Sequence, residues 1–292
     1  FLVIVASVLI AAAAMYGWFR DGSFMFFWDS YVPLDIHNSF EHLFYNWREH
    51  VFPGYETAGW SWLPYWAIIS FVRLLTGSLS LAQGSLYVFL LSASTIFFFF
   101  LLRFLVSKVL QLSRPGWGLQ LGLFGASILY TYNPFTFFYG YFMYNPDTFI
   151  FGFLPLNILA LLHVFPLKKN EASDRTLFWV IVFFVSLFMM TPGFGVYIFL
   201  AQYYIWLTLY LVLHWLSVRK AKPLVYIIQP LLFLLLALLA NWWWFFPSLL
   251  GFQELYNSQS VLGTTFWFDR GFIPSRLLNS MRLLGVPLML NN

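Results

Sequence analysis

The side chains able to move a proton or hold a phosphate are few and unevenly placed. Of the 11 acidic residues, six lie between Asp21 and Glu56. Asp29 stands in FMFFWDSYVPLD (24–35), among aromatic rings. Desolvation there raises a carboxyl pKa unless a cation or hydrogen bonds offset it, and such a carboxylate can act as general base toward a sugar hydroxyl. The plainer reading is an interfacial or capping Asp, or an ion-pair partner of Arg20 or Arg48. Asp35 is placed to N-cap a helix running to about His50. With His37 and Glu41 it has the spacing of a metal site on a helix face, although His37, His42 and His50 do not share one face. Asp147 is the one acid between Glu56 and Glu171. It reads equally as the N-cap of the next helix and as a second carboxylate on the same cavity, holding a divalent metal or, through metal, a lipid phosphate. Arg73 and Arg270, with Arg276 and Arg282, are cations that could grip a lipid phosphate; snorkelling is the simpler role for any one of them.

These residues are set in a chain built for hydrocarbon. It has 292 residues, 61% hydrophobic and only 9% charged. Soluble domains run near a quarter charged, so the composition selects a membrane protein. Without cysteine, neither a disulfide framework nor a thiolate metal site can form. The net charge of +4 is spread between apolar runs and does not make a nucleic-acid patch. Phosphate loops of the Walker type, dinucleotide fingerprints and nucleophile elbows are missing. The chain begins at Phe1 inside an apolar run and reads as a fragment of something longer; that run has no basic segment before it to make a signal peptide.

Apolar length and punctuation predict the elements. Residues 1–19 suffice for one span at ~20 residues each. The loop 20–82 follows. Within it, Ile36, Phe40, Leu43, Phe44, Trp47 and Val51 share a helical face opposite Asn38, Glu41, His42, Arg48 and Glu49, as in a helix lying in the interface plane. Residues 60–75 read as a re-entrant or interfacial helix, followed by a polar, flexible stretch at 77–84. Further apolar segments are expected at 86–106, 119–138, 148–165, 177–190, 196–216 and 224–246. Nine of the 15 basic residues fall in the connections 103–114, 168–175 and 219–222, which makes those connections cytoplasmic. The opening loop and Asp147 then share the opposite, extracytoplasmic side. The expected fold is all-α: a single polytopic transmembrane helix bundle over 1–292, with an amphipathic interfacial helix in its first outer loop.

The layout of an acid after the first span, an amphipathic helix in the first outer loop and an acid in the second resembles the GT-C fold glycosyltransferases. More narrowly, WDSYVPLD (28–35), LYTYNPF (129–135), LPL (154–156) and RLLG (282–285) look like the amino-terminal membrane region of the arabinofuranosyltransferase D-like family. The resemblance implies a polyprenyl-phosphate-linked sugar as donor, a glycan or glycoprotein acceptor, and a site facing outward at the plasma membrane. It puts the catalytic base at Asp29 and the second-loop acid at Asp147. Asn145 stands where the wider fold often has the first of two second-loop acids. Two other functions compete: a transporter or channel for a lipid or small solute, and a non-catalytic membrane subunit of a larger assembly. Discontinuous helices carrying charge at midplane would favour transport; acids gathered on one side favour surface chemistry.

Overall fold

A computed structural model describes residues 1–20, 22, 62–112, 115–133, 148–166, 175–194, 197–218 and 223–262, with backbone alone at 194, 197–198, 218, 223–226 and 247–262. Among these residues are eight helices and no strand: α1 Leu2–Phe19, α2 Leu63–Thr76, α3 Leu79–Val109, α4 Trp117–Tyr132, α5 Thr148–Val164, α6 Thr176–Phe194, α7 Tyr197–Val218 and α8 Pro223–Leu262. Five of them (α1, α3, α6, α7 and α8) are long and apolar enough to cross a membrane. The protein is a multi-pass helical membrane bundle.

Cross-helix contacts give each helix its direction. Ser80 Oγ near the start of α3 lies 3.5 Å from the Phe19 carbonyl at the end of α1, so α1 and α3 are antiparallel. Thr95 meets Thr131 and Phe98 stacks on Tyr130 at 4.1 Å, which sets α4 against α3. Leu90 packs on Gly152 and Phe104 on His163, so α5 runs with α3. Asn157 bonds to Ser186 while His163 stacks on Trp179, reversing α6. Tyr203 reaches Asn157 and Tyr210 reaches the Phe165 carbonyl, so α7 is parallel to α5. Phe183 meets Phe233 and Phe188 meets Trp243, so α8 is parallel to α6. One end of the bundle therefore gathers the close of α3, which carries Arg103 and Lys108, and the helix ends that lead into 110–116, 165–175 and 219–222, the last two rich in Lys and Arg. The other end gathers the close of α1 and the start of α3 and α5; α4 runs toward it, and its last turn meets the middle of α3 at Ser94 and Thr95. We call these the basic and the acidic end.

Burial follows stripes that the apolar composition alone hides. On α7 the buried positions are Leu200, Tyr203, Leu207, Leu211 and His214; on α8 they are Phe233, Ala237, Asn241 and Trp244. These spacings of three and four are the seam of two helices packed side by side. On α1 only Ser7, Ala11, Met15 and Phe19 are buried, four residues apart along one face. The rest of α1 is exposed apolar surface, which costs nothing against lipid tails.

Several expected boundaries move. The flexible stretch expected at 77–84 is a tight turn followed at once by helix. Gly77 takes φ +68°, Ser78 Oγ accepts from the Leu81 amide at 3.3 Å, and α3 begins at Leu79, seven residues before the expected span. The span expected over 119–138 stops as a helix at Tyr132. Asn133 is extended (ψ 152°) because Pro134 disfavours helical backbone before it. The helix expected to end at 246 runs on to Leu262; Pro247 forfeits one hydrogen bond but does not end it. Helix α6 likewise runs through Pro192 to Phe194. The interfacial helix expected at 35–50 lies outside the described residues.

Helix α2 does not cross the membrane alone. It has 14 residues, about 21 Å at 1.5 Å per residue, short of a ~30 Å core. Because α1 ends and α3 begins at the same end of the bundle, whatever lies between them must return to that end. Tyr65 packs its ring against Phe149, the second residue of α5, at 6.2 Å. Both termini of α2 are thus tied to the acidic end, in keeping with an interfacial or re-entrant segment.

Candidate functional site

Of the residues singled out in sequence, Asp29, Asp35, His37, Asp147 and Arg270 lie outside the described residues. Arg73 is described: it sits in the last turn of α2, half-buried, and its carbonyl accepts the Gly77 amide at 2.7 Å. The helix ends flanking the acids are also described. Gly22 follows α1, Trp62 precedes α2, Asn133 follows α4, and the fully buried Thr148 opens α5. Gly22, Trp62 and Thr148 belong to the acidic end; Asn133 follows a helix that points toward it but stops beside the middle of α3. The described side chains include no carboxylate. Among them there is also no group of three His, Cys, Asp or Glu able to hold a metal.

What the described residues build at the acidic end is an aromatic wall. Tyr65 and Trp66 are buried and meet edge-on at 5.2 Å, and Trp62 stacks on Trp66 at 6.5 Å. A groove of about 590 Å³ opens between α1 and α3. Met15, Tyr16 and Phe19 form one bank; Gly84, Val88 and Phe89 form the other, and the groove continues to Phe97. A Cβ on Gly84 would stand 3.1 Å from the Phe19 ring, so glycine is what lets the two helices close here. The lining is almost wholly apolar, and the volume falls in the ~300–1,000 Å³ range of ligand sites. One end of it lies at Phe19 and Leu81, where the chain leaves α1 toward Asp29 and returns into α3.

The interior polar groups are a second feature, which sequence reading did not single out. Asn157, on α5, donates to the Phe183 carbonyl at 3.0 Å and to Ser186 Oγ at 2.9 Å on α6. It accepts from the Tyr203 hydroxyl at 2.8 Å on α7. Asn241 on α8 donates to the Tyr204 hydroxyl at 2.9 Å and accepts the Trp244 indole at 3.0 Å; Tyr204 in turn donates to the Ala237 carbonyl at 2.7 Å. Thr95 donates to Thr131, which donates to Ser94, each at 3.0 Å, joining α3 to α4. These groups find their partners in one another. That is how polar residues hold helices together where lipid offers no hydrogen bonds. Their sequence signal is weak: isolated Asn, Ser and Thr within apolar runs.

The fold defines a class, a multi-pass helical membrane protein. Compared with protein-family models, with curated proteins and with solved structures, the chain has no significant match.

Proposed function

We propose that this protein is a membrane glycosyltransferase. It moves a sugar from a polyprenyl-phosphate donor to an acceptor hydroxyl at the extracytoplasmic face of the plasma membrane. The reading rests on the sequence resemblance, and one observation supports it: one end of the apolar groove between α1 and α3 is lined by Phe19, at the close of α1, from which the chain leaves toward Asp29. The donor's isoprenoid chain lies in this groove. Its phosphate stands at the acidic end, and arginines such as Arg73 and Arg270 balance its charge. Asp29 removes the proton of the acceptor hydroxyl as its oxygen bonds to the anomeric carbon. The bond from that carbon to the phosphate oxygen breaks, and the lipid phosphate leaves with the electron pair. The cations need only stabilise the charge on a group that already leaves well. Asp147 binds the acceptor or the phosphate, with or without a divalent metal. A wall of Trp62, Tyr65 and Trp66 limits water beside the donor.

The test is transfer from a panel of polyprenyl-phosphate-linked sugars by protein in nanodiscs. Asp29→Asn should lower turnover by roughly 10²–10⁴-fold, the contribution of a general base, while polyprenyl-phosphate binding persists. Unchanged turnover in Asp29→Asn, or no transfer from any donor by the unaltered protein, would end this reading.

A further inference from the structure

A second groove, of about 890 Å³, lies at the basic end between α3, α5 and α6. Its two halves differ in chemistry. Toward the middle of the bundle the floor is Phe97, Phe100, Leu156 and Val182; at the basic end the rim is Arg103 and Lys108, with Ser107 and Gln111 beside them. Both cations are exposed, and the Lys108 ammonium lies 5.8 Å from the Phe104 ring centroid. From Lys108 to Phe97 is about 16 Å along a helix rising 1.5 Å per residue. That is half of a ~30 Å hydrocarbon core, the depth of one leaflet. The groove opens to the lipid side, where Phe100 and Phe178 are 38% and 54% exposed.

The inner wall is fixed in shape. His163 is stacked on Trp179 at 4.0 Å and tilted against Phe104 at 4.5 Å. Its Nδ1 donates to the Leu159 carbonyl at 2.8 Å, which leaves Nε2 as the ring's remaining polar atom. No carboxylate side chain is described on the three helices. The connections leaving this end carry Arg114, and Lys168, Lys169 and Arg175 against Glu171 and Asp174. The local balance is cationic.

We infer that this groove binds one anionic phospholipid of the leaflet at the basic end, its phosphate between Arg103 and Lys108 and an acyl chain along Phe97, Phe100 and Leu156. A soluble anion would find the cations but have no use for an aromatic floor. A zwitterionic lipid would fill the floor but bring no net charge to the rim. Basic pockets between transmembrane helices hold anionic head groups for both reasons together. Its cationic rim is at the opposite end of the bundle from Phe19 and Leu81, although both grooves reach Phe97, and the site does not depend on glycosyl transfer.

The test is native mass spectrometry of the whole protein released from micelles holding equimolar phosphatidylglycerol and phosphatidylcholine. One phosphatidylglycerol should be retained in preference to phosphatidylcholine. Each cation near an anionic head group is worth roughly 5-fold in affinity. Arg103→Gln with Lys108→Gln should therefore weaken retention roughly 30-fold. Two further variants separate charge from folding: Arg103→Lys with Lys108→Arg should retain the lipid, and Arg219→Gln with Lys220→Gln, in a different connection, should leave it unchanged. Equal retention of the two lipids, no loss in the double Gln variant, or equal loss in the Arg219 and Lys220 variant would overturn the site. So would displacement of the lipid by equimolar glycerol phosphate, which would show that the phosphate alone is recognised.

Discussion

Asn157 gives the sharpest test of how the bundle is held together. It is fully buried, and its amide joins three helices through three hydrogen bonds. Hydrogen bonds between transmembrane helices average ~0.6 kcal/mol and reach ~1–2 kcal/mol. Asn157→Leu keeps an apolar side chain of nearby volume and removes all three. The Phe183 carbonyl keeps a partner, because Ser186 Oγ also donates to it at 2.9 Å. The Tyr203 hydroxyl loses its acceptor while buried, which adds to the cost. The expected loss is roughly 2 kcal/mol. Tyr203→Phe removes a single bond and should cost about 0.6 kcal/mol.

The discriminating quantity is the coupling between the two changes. If the hydroxyl donates to the Asn157 amide, Tyr203→Phe should cost almost nothing once Asn157→Leu is present. Stability of both single variants and the double variant would be measured by reversible dodecyl sulfate titration in mixed micelles, followed by circular dichroism. Non-contacting sites add within about 0.3–0.5 kcal/mol. A cycle that closes within that margin, or Asn157→Leu as stable as the parent, would refute the claim that this amide ties α5, α6 and α7 together.

Two glycines give predictions of opposite kind. Gly77 turns α2 into α3 at φ +68° with open space around it, so Gly77→Ala should cost about 1 kcal/mol through backbone strain alone and leave lipid binding intact; thermal unfolding in micelles checks this. Gly84 has ordinary helical backbone but faces the Phe19 ring at 3.1 Å, so Gly84→Leu should force α1 outward at ~1–3 kcal/mol. It should also distort the α1–α3 groove and weaken binding of polyprenyl phosphate, measured with a fluorescent analogue, while phosphatidylglycerol retention at the basic end stays the same.

The crossings were legible in the sequence because an apolar run of span length has few other uses. So was the segregation of charge: the three basic connections do leave from one end of the bundle. Faces were not legible. In a soluble protein, burial and polarity separate the two sides of a helix; in α1 both sides are apolar, and only packing decides that Ser7, Ala11, Met15 and Phe19 are inside. Boundaries at turn residues went wrong in both directions. Gly77 and Ser78 signal a sharp turn as much as a flexible one, Pro134 ended a helix one residue before itself, and Pro247 did not end one. Of the candidate site residues only Arg73 is described, so the site itself is constrained through the helix ends that flank it and the groove beside them.

That constraint still narrows where chemistry can happen. Asn157, Asn241, Tyr203, Tyr204, Thr95 and Thr131 satisfy one another inside the bundle. A group whose hydrogen bonds are met by fixed protein partners is poorly placed to take a proton from a substrate. The described helices supply cations, hydroxyls, amides and two imidazoles, but no carboxylate side chain. Six of the 11 acids fall in the one connection between α1 and α2. That connection begins at the close of α1, where Phe19 lines one end of the α1–α3 groove. The division of labour follows from the solvent: the hydrocarbon core allows only polar groups that pair internally, so the bundle shapes grooves for lipid while ionised side chains collect at its two ends.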